Sequence, residues 1–184
     1  MARGTLFLVV GPSGAGKDTM IAGARAALEP GGRYVFPRRA ITRPAGAGGE
    51  DHEAVSPEAF VAREAGGGFF ATWNAHGLAY GLPGCIPATL ESGRHVVVNV
   101  SRSILAEIAG RVSPMVAIEV AAPPEIRARR LADRAREDKA DAARRLARDG
   151  APLPDRVTVR RVVNDGAPED GVERFVAALT EADA

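Results

Sequence analysis

The chain has 184 residues, a length that suits one domain with a sizeable hydrophobic core. Hydrophobic residues make up 46% and charged residues 26%, as in a soluble globular protein, and the net charge of +1 argues against nucleic acid or an anionic membrane as partner. No apolar run approaches the length of a membrane span, so we expect a cytoplasmic location. The single cysteine, Cys85, excludes an internal disulfide, and we expect it to be a buried filler.

Apolar runs alternate with helix-compatible segments along the chain. Strands are expected at residues 5–10, 34–36, 40–41, 69–73, 95–99, 115–120 and 157–163. Helices are expected at residues 20–29, 56–66, 87–91, after Ser101, at 123–148 and at 168–179, and residues 75–81 indicate a turn or hairpin. The first strand is continuously apolar, as in a parallel sheet covered on both faces. The alternation therefore predicts an α/β fold with a parallel sheet and right-handed crossovers.

Residues 11–17, GPSGAGK, lie between the first predicted strand and the first predicted helix. This spacing is typical of a phosphate-binding P-loop. Gly11, Gly14 and Gly16 can adopt backbone angles that turn successive N–H groups toward a phosphate, and Lys17 supplies a cation for the outer phosphates. We therefore predict a nucleoside triphosphate site; the alternative is an ordinary glycine-rich turn.

The residue after Lys17 departs from the P-loop pattern, which has Ser or Thr there to bind Mg²⁺. Asp18 takes that position and Thr19 follows it. A carboxylate is a suitable Mg²⁺ ligand, directly or through water, but it also suits the start of a helix as a cap and charge partner. Both interpretations of Asp18 stay open, and Thr19 is the second candidate metal ligand.

Two further segments are rich in arginine. The first, RRAITRP at 38–44, is followed by EDH at 50–52 and is either a solvated loop or an anion clamp of guanidinium groups. In a phosphoryl-transfer enzyme, arginines that close over the phosphates stabilise the transferring group, whereas others are plain helix-surface charge. The second segment carries Arg127, Arg129, Arg130, Arg134, Arg136, Arg144, Arg145 and Arg148.

The chain resembles the guanylate-kinase-like branch of nucleoside monophosphate kinases along essentially its full length. The matching segments are GPSGAGK at 11–17, ITRP at 41–44, GLAYG at 77–81, the two RL pairs within 130–146, and ND at 164–165. The resemblance implies a single domain, 1–184, in which a P-loop core with a parallel sheet flanked by helices occupies residues 1–37, 84–130 and 146–184. It also implies an inserted acceptor-binding region at about 38–83 and an arginine-rich lid at about 131–145.

The positions at which guanylate kinases contact the guanine base carry other residues here. A serine, an acid and a second serine of that family correspond to Arg39, Thr72 and Leu82, and two acids after its central strand correspond to Asn99 and Ser101. Losing matched polar partners removes specificity by large factors. The added Arg39 suggests instead a second phosphate on the acceptor, or a phosphorylated sugar without a base.

The pattern resembles one branch in particular, the ribose 1,5-bisphosphate phosphokinases of phosphonate catabolism. The similar segments are GPSGAGKDT at 11–19, RRxITRP at 38–44, GGEDH at 48–52, WxAHGLAYG at 73–81 and VVVNxSR at 96–102. The resemblance implies phosphoryl transfer from ATP with Mg²⁺ to ribose 1,5-bisphosphate, which gives ADP and 5-phosphoribosyl 1-diphosphate. No general base is needed, because an acceptor phosphate is largely ionised near neutral pH.

Site roles follow from this resemblance. The expected catalytic residues are Lys17, Arg134, Arg136 and Arg145. The expected ATP-binding residues are Gly11, Pro12, Ser13, Gly14, Ala15, Gly16, Lys17, Asp18, Thr19 and Asn164. The expected substrate-binding residues are Arg39, Arg43, Asp51, His52, Tyr80, Asn99 and Ser101. Glu50 and His76 are further candidates for the sugar pocket, and we expect Trp73 to serve packing.

Three other functions remain open from the sequence. The first is a guanylate or other nucleoside monophosphate kinase, against which the missing base contacts argue. The second is a non-catalytic guanylate-kinase-like binding module, but such modules typically lack an intact phosphate loop. The third is a regulatory nucleotide-binding switch, which the arginine-rich segments disfavour. The expected partners are a phosphorylated sugar and ATP, without nucleic acid or membrane.

Overall fold

The computed structural model describes residues 2–46, 50–134 and 153–181, and their side chains except those of residues 133 and 134. The predicted lid residues Arg136 and Arg145 lie outside the described residues, as does the side chain of Arg134. No helix within the described ranges is both long and apolar enough to cross a bilayer.

The described part of the chain alternates strands and helices. The strands are β1 (Leu6–Val10), β2 (Tyr34–Val35), β3 (Ala40–Ile41), β4 (Glu53–Ala54), β5 (Phe69–Ala75), β6 (Leu78–Pro83), β7 (His95–Asn99), β8 (Met115–Ala121) and β9 (Thr158–Val163). The helices are α1 (Lys17–Leu28), α2 (Pro57–Ala65), α3 (Ile86–Glu91), α4 (Leu105–Ala109), α5 (Pro124–Arg134) and α6 (Pro168–Thr180), with 3-10 turns at Glu29–Gly31 and Arg102–Ile104.

A parallel sheet of five strands, in the order β2-β7-β1-β8-β9, forms the centre of the fold. Strand β1 is completely buried because helices cover both faces of the sheet. Leu6, Leu8 and Val10 belong to a core cluster shared with α3 and α4, whereas Phe7 and Val9 belong to a second cluster shared with α1 and α6. The predicted α/β architecture with a covered parallel sheet is confirmed.

A second sheet, in the order β4-β3-β6-β5, lies within residues 40–83. Strands β5 and β6 form an antiparallel hairpin closed by a two-residue turn, in which His76 and Gly77 both have positive φ, 54° and 73°. Such a turn matches the twist of the flanking strands. Trp73 and Leu82 from this sheet join the core cluster that covers one face of the central sheet. This packing places the second sheet beside the carboxyl ends of β1 and β7.

Most of the predicted boundaries lie within two residues of the observed ones. Strand β7 has the predicted bounds, and Ser56 caps α2 by accepting a hydrogen bond from the backbone N–H of Ala59. The strand β4 was not predicted, because its two residues are not apolar in pattern and its strand geometry depends on pairing with β3. The expectation that Cys85 is buried is wrong: the residue is exposed, since it precedes α3 at the surface and the apolar positions facing the core are Ile86 and Leu90.

Candidate active site

The P-loop has the tight geometry that its glycines predict. Gly14 and Gly16 have φ values of 80° and 92°, which favour glycine. A Cβ on Gly16 would lie 2.3 Å from Nδ2 of Asn164, and one on Gly11 would lie 2.2 Å from the backbone oxygen of Val120. The loop therefore has no room for side chains at Gly11 and Gly16, because its backbone packs closely against Val120 and Asn164.

Lys17 begins α1 and turns back onto the loop. Its Nζ donates hydrogen bonds to the backbone oxygens of Gly11, at 2.7 Å, and Pro12, at 3.1 Å. Burial lowers the pKa of Lys17 to about 8, while the Asp18 carboxylate opposes this effect and Arg39 adds to it. The ammonium group thus lies inside the loop, where its positive charge is poorly solvated and an anion would stabilise it.

Asp18 lies in the first turn of α1, and the N-cap position belongs to Gly16. Asp18 is therefore not the cap, although its charge still suits the positive end of the helix. Oδ1 of Asp18 lies 3.4 Å from Nδ2 of Asn99, at the carboxyl end of β7. This contact brings together two residues that the sequence placed in the ATP site and the substrate site.

Asn164 supports the P-loop from the end of β9. Its side chain is almost fully buried, and its Nδ2 donates a 2.8 Å hydrogen bond to the backbone oxygen of Ala15. Arg130 lies 3.4 Å from the same Ala15 oxygen, and Nε of Arg127 donates to the backbone oxygen of Ser13 at 3.1 Å. Two arginines of α5 and one buried amide therefore hold the backbone of the loop.

A cleft of about 280 Å³ opens on this side of the P-loop, between the loop, α5 and the start of α6. Thr19, Arg130 and Asn164 contribute its polar surface, and Pro168 closes one wall. Asp18 instead lines a different cleft beside α1. The two candidate metal ligands, Asp18 and Thr19, also line one groove together, between α1 and α6.

The second cleft, of about 170 Å³, lies between α1, β7 and the residues that lead into β3 and β4 of the second sheet. Its volume is below the roughly 300–1,000 Å³ of drug-sized ligand pockets, which favours a compact ligand. Most of its lining side chains are charged or polar. These are Asp18, Arg25, Arg39, Glu50, Asp51 and Asn99.

Arg39 is the most enclosed cation of this cleft, with a side chain 11% exposed. It forms an ion pair with Glu50. Its guanidinium carbon lies 5.6 Å from the ring centre of Trp73 and 5.2 Å from that of Tyr80, and the two rings are nearly parallel. Cation–π contact and the ion pair together fix the guanidinium in one place. Trp73, expected to serve packing, thus also contacts a candidate binding residue.

Arg43 and His52 contact each other across the loop that precedes β4. Nη2 of Arg43 lies 3.3 Å from Nδ1 of His52, and Nε2 of His52 lies 3.2 Å from the backbone oxygen of Arg43. Nδ1 of His52 also lies 3.0 Å from the backbone oxygen of Glu50, so the ring contacts backbone oxygens on both sides as well as the Arg43 guanidinium. The structure therefore unites two residues predicted for the substrate site, and His52 orients Arg43.

The other predicted substrate residues differ in their surroundings. Asp51 is largely exposed and forms an ion pair with Arg38 at 3.3 Å. Ser101 caps the 3-10 turn that follows β7, where its Oγ accepts a hydrogen bond from the backbone N–H of Ser103. His76, a further candidate, is an exposed residue of the β5–β6 turn.

Sequence reasoning assigned no role to a buried charge cluster beside the P-loop. Glu119 of β8 is 8% exposed, and its two carboxylate oxygens each lie 2.8 Å from an arginine nitrogen, Nη2 of Arg102 and Nε of Arg161. An acid inside an otherwise apolar central strand is the signal that could have found it, because such an acid needs partners. The cluster ties the ends of β7, β8 and β9 together. Arg25 of α1 was also missed and lines the second cleft, beside β7.

The P-loop connects a central strand of the parallel sheet to a helix, and clefts that contain arginines lie beside it. This arrangement is that of a P-loop protein with guanylate-kinase-like architecture. A crystal structure of a guanylate kinase from Anaplasma phagocytophilum superposes with a TM-score of 0.68, covering 98% of this chain and 87% of that one. The two sequences are 16% identical, so this likeness concerns the fold alone. No family model matches the chain.

Sequence comparison gives a narrower result. The chain is 47% identical to the ribose 1,5-bisphosphate phosphokinase PhnN of Methylobacterium radiotolerans, over 96% of this chain and 97% of that protein. It is also 54% identical to the bifunctional ribose 1,5-bisphosphokinase-thymidine phosphorylase of Azorhizobium caulinodans, over 97% of this chain and 26% of the relative. The chain thus spans about a quarter of that bifunctional protein. The chain belongs to the ribose 1,5-bisphosphate phosphokinase family.

Proposed function

We propose that this chain transfers the γ-phosphoryl group of ATP to the 1-phosphate of ribose 1,5-bisphosphate, giving ADP and 5-phosphoribosyl 1-diphosphate. The bond between the γ-phosphorus and its bridging oxygen breaks, and a bond to an oxygen of the acceptor phosphate forms. The position of Arg39 carries this proposal. Its fixed guanidinium lines the cleft between α1 and β7, here called the acceptor-side cleft, at a sequence position where guanylate kinases have a serine that contacts the guanine base. The names of the relatives support the same substrate.

The donor nucleotide is proposed to bind through the P-loop. Backbone N–H groups of the P-loop face its phosphates, except at Pro12, which has none, and at Ala15, whose N–H donates to the oxygen of Pro12; the positive end of α1 aids them. Lys17 exchanges the backbone oxygens of Gly11 and Pro12 for phosphate oxygens, which restores the charge that burial disfavours. Asn164 and Arg130 act through the loop backbone and keep it in its binding conformation.

The acceptor is proposed to occupy the cleft between α1, β7 and the second sheet. Arg39 and Arg43 bind its phosphates, and each has a buried Nε that lacks a hydrogen-bond partner among the described residues. Asp51, His52, Tyr80, Asn99 and Ser101 are proposed to line the sugar or to hold these arginines. The catalytic contribution of these residues is positioning and charge, since the acceptor oxygen needs no deprotonation.

A magnesium ion fits the residues present. Among the described residues, no three His, Cys, Asp or Glu side chains form a metal cage. Mg²⁺ bound with a nucleotide needs only one or two carboxylates, because phosphates and water complete its shell. Asp18 would hold the ion, with Thr19 as the second candidate, and the ion would neutralise charge on the phosphates. We further propose that Arg134, Arg136 and Arg145 act on the phosphates as part of a closing lid. We also propose that the activity is cytoplasmic and that the reaction belongs to phosphonate catabolism.

The test is product identification by phosphorus NMR. The protein is incubated with Mg-ATP and ribose 1,5-bisphosphate, and the Lys17→Ala variant serves as the control for contaminating kinases. The proposal expects the paired resonances of a sugar diphosphate together with ADP, and their loss in the variant. ATP binding without any sugar diphosphate would contradict the proposal and favour a non-catalytic binding module.

A further inference from the structure

One face of α1 forms a wall of the acceptor-side cleft. The α1 residues that line the cleft are Asp18, Ile21, Ala22 and Arg25, which follow the spacing of a single helix face. Asp18 lies at the end next to Lys17, where phosphoryl transfer takes place. Arg25 is seven residues further on, or about 10 Å along the helix axis at 1.5 Å per residue. The cleft therefore carries a cation at the end remote from the P-loop.

Arg25 is held in position by the protein rather than by a strong ion pair. Its Nη2 donates a 2.8 Å hydrogen bond to the backbone oxygen of Phe36, and its guanidinium lies 5.9 Å from the centre of the Phe36 ring. Asp51 is its only carboxylate partner among the described residues, and the separation is long, 3.7 Å. The guanidinium is thus oriented but weakly neutralised.

Asp51 is a replaceable partner for this cation. Its side chain is 61% exposed, and it also pairs with the exposed Arg38 at 3.3 Å. The Nε of Arg25 is buried and, within the described ranges, has no hydrogen-bond acceptor. An arginine with an unsatisfied buried donor and a shared, solvated counter-ion gains most from a dianion, because a phosphate accepts several charge-assisted hydrogen bonds at once.

We infer that Arg25, together with Arg39 of the same cleft, binds the phosphate at the far end of the acceptor, the 5-phosphate of the sugar. This inference rests on the proposed function and adds to it a residue that recognises the second phosphate of the acceptor. The two phosphates of a pentose 1,5-bisphosphate lie at opposite ends of the sugar, a separation similar to the two helical turns between Asp18 and Arg25. Arg25 then determines specificity for a bisphosphorylated acceptor.

The test compares two acceptors that differ only in the distal phosphate, ribose 1,5-bisphosphate and ribose 1-phosphate. Initial rates of ADP release are recorded for the wild type, Arg25→Ala and Arg25→Lys, at enzyme concentrations high enough to follow the slower acceptor. We expect Arg25→Ala to lower kcat/KM for the bisphosphate about 10- to 100-fold, the range for a hydrogen bond to a charged group, mainly through KM. With ribose 1-phosphate, the rate of Arg25→Ala should stay within about twofold of the wild-type rate, because this acceptor has no 5-phosphate for Arg25 to bind.

The lysine variant and a matched control complete the experiment. Arg25→Lys keeps the charge without the planar fork, so it should recover part of the preference for the bisphosphate. Arg38→Ala removes a cation that shares Asp51 but does not line the cleft, so it should leave the preference unchanged. An equal loss of activity of Arg25→Ala with both acceptors, or an unchanged preference, would overturn the inference. A wild type that phosphorylates neither sugar overturns the proposed function, and with it this role of Arg25.

Discussion

The side-chain amide of Asn164 donates a 2.8 Å hydrogen bond to the backbone oxygen of Ala15, so the end of β9 holds the middle of the P-loop. Asn164 is 2% exposed, and its replacement by alanine would leave a buried carbonyl oxygen with a weaker partner. We expect Asn164→Ala to lower the free energy of unfolding by about 1–3 kcal/mol. We also expect a higher KM for ATP, because the loop loses its support, with a smaller effect on the KM of the sugar.

The control for this variant is Asn74→Ala, which changes an exposed residue of β5 and should stay within about 0.5 kcal/mol of the wild type. Urea unfolding and steady-state kinetics measure the two effects. If Asn164→Ala kept wild-type stability and an unchanged KM for ATP, the support assigned to this amide would be wrong.

Gly16 and Gly32 both have a positive φ, 92° and 71°, but their surroundings differ. A Cβ on Gly16 would lie 2.3 Å from Nδ2 of Asn164, whereas a Cβ on Gly32 meets nothing within 4 Å. Both alanine variants carry the strain of a left-handed alanine, about 1–2 kcal/mol. Only Gly16→Ala adds a clash in the P-loop, so we expect it alone to abolish ATP binding, as measured by calorimetry. Similar ATP affinities of the two variants would show that the loop tolerates a side chain.

Lys17 makes ATP binding depend on pH. Burial lowers the pKa of Lys17 to about 8 in the unliganded protein, and phosphate oxygens around Nζ should raise it again. We therefore expect nucleotide binding at pH 8 to take up about half a proton, and the affinity to fall as the pH rises above 8. Calorimetry in buffers of different ionisation enthalpy measures the uptake, and Lys17→Met should remove it. Uptake by Lys17→Met equal to that of the wild type would assign the proton to another group.

The same lowered pKa has a consequence for stability. The unfolded chain binds more protons than the folded one between pH 8 and the ordinary lysine value of 10.5, so the contribution of Lys17 to stability rises with pH across this window. Below pH 8 the buried charge is a constant penalty. We therefore expect Lys17→Met to raise the melting temperature at pH 7, and the difference from the wild type to shrink toward pH 10. A lower melting temperature at pH 7 would contradict this.

Glu119 of β8 bridges two arginines, Arg102 from the 3-10 turn after β7 and Arg161 from β9. Its oxygens lie 2.8 Å from both Arg102 and Arg161, and its side chain is 11% exposed. We expect Glu119→Gln to lower the free energy of unfolding by about 1–3 kcal/mol, the range for a hydrogen bond to a charged group, because Glu119 is buried although Arg161 is 67% exposed. The matched change Glu107→Gln breaks a surface pair with Arg111 and should cost at most about 0.5 kcal/mol. Equal costs for the two variants in urea unfolding would show that burial adds nothing to the Glu119 pairs.

The fold was largely predictable because its signals are local. An apolar strand, the GxxxxGK spacing and the next helix identify the P-loop unit, and β7 was placed at its observed bounds. The second sheet was only partly predicted. Its strand pairs depend on contacts such as Ile41 with Tyr80, which are distant in sequence and leave no periodicity in two-residue strands.

The sequence predicts which residues are candidates for the site, but not the contacts that these side chains make with one another. Arg39 was singled out by what it replaces, yet nothing local indicates that Trp73 and Tyr80 would meet its guanidinium. Asn164 was expected near the nucleotide, but its hydrogen bond to Ala15 spans 149 positions of sequence. Arg25 was missed because a single arginine on an amphipathic helix is ordinarily solvated surface charge.

We propose that the acceptor site suits a phosphorylated sugar and not a nucleobase. The most direct measurement is a competition in one reaction, in which Mg-ATP is supplied with equal concentrations of ribose 1,5-bisphosphate and GMP and both products are followed by phosphorus NMR. We expect the sugar diphosphate to form at least about 1,000-fold faster than GDP, because the residues that contact guanine in guanylate kinases are replaced here by Arg39, Thr72 and Leu82. Formation of GDP at a comparable rate would contradict the account and make the protein a divergent guanylate kinase.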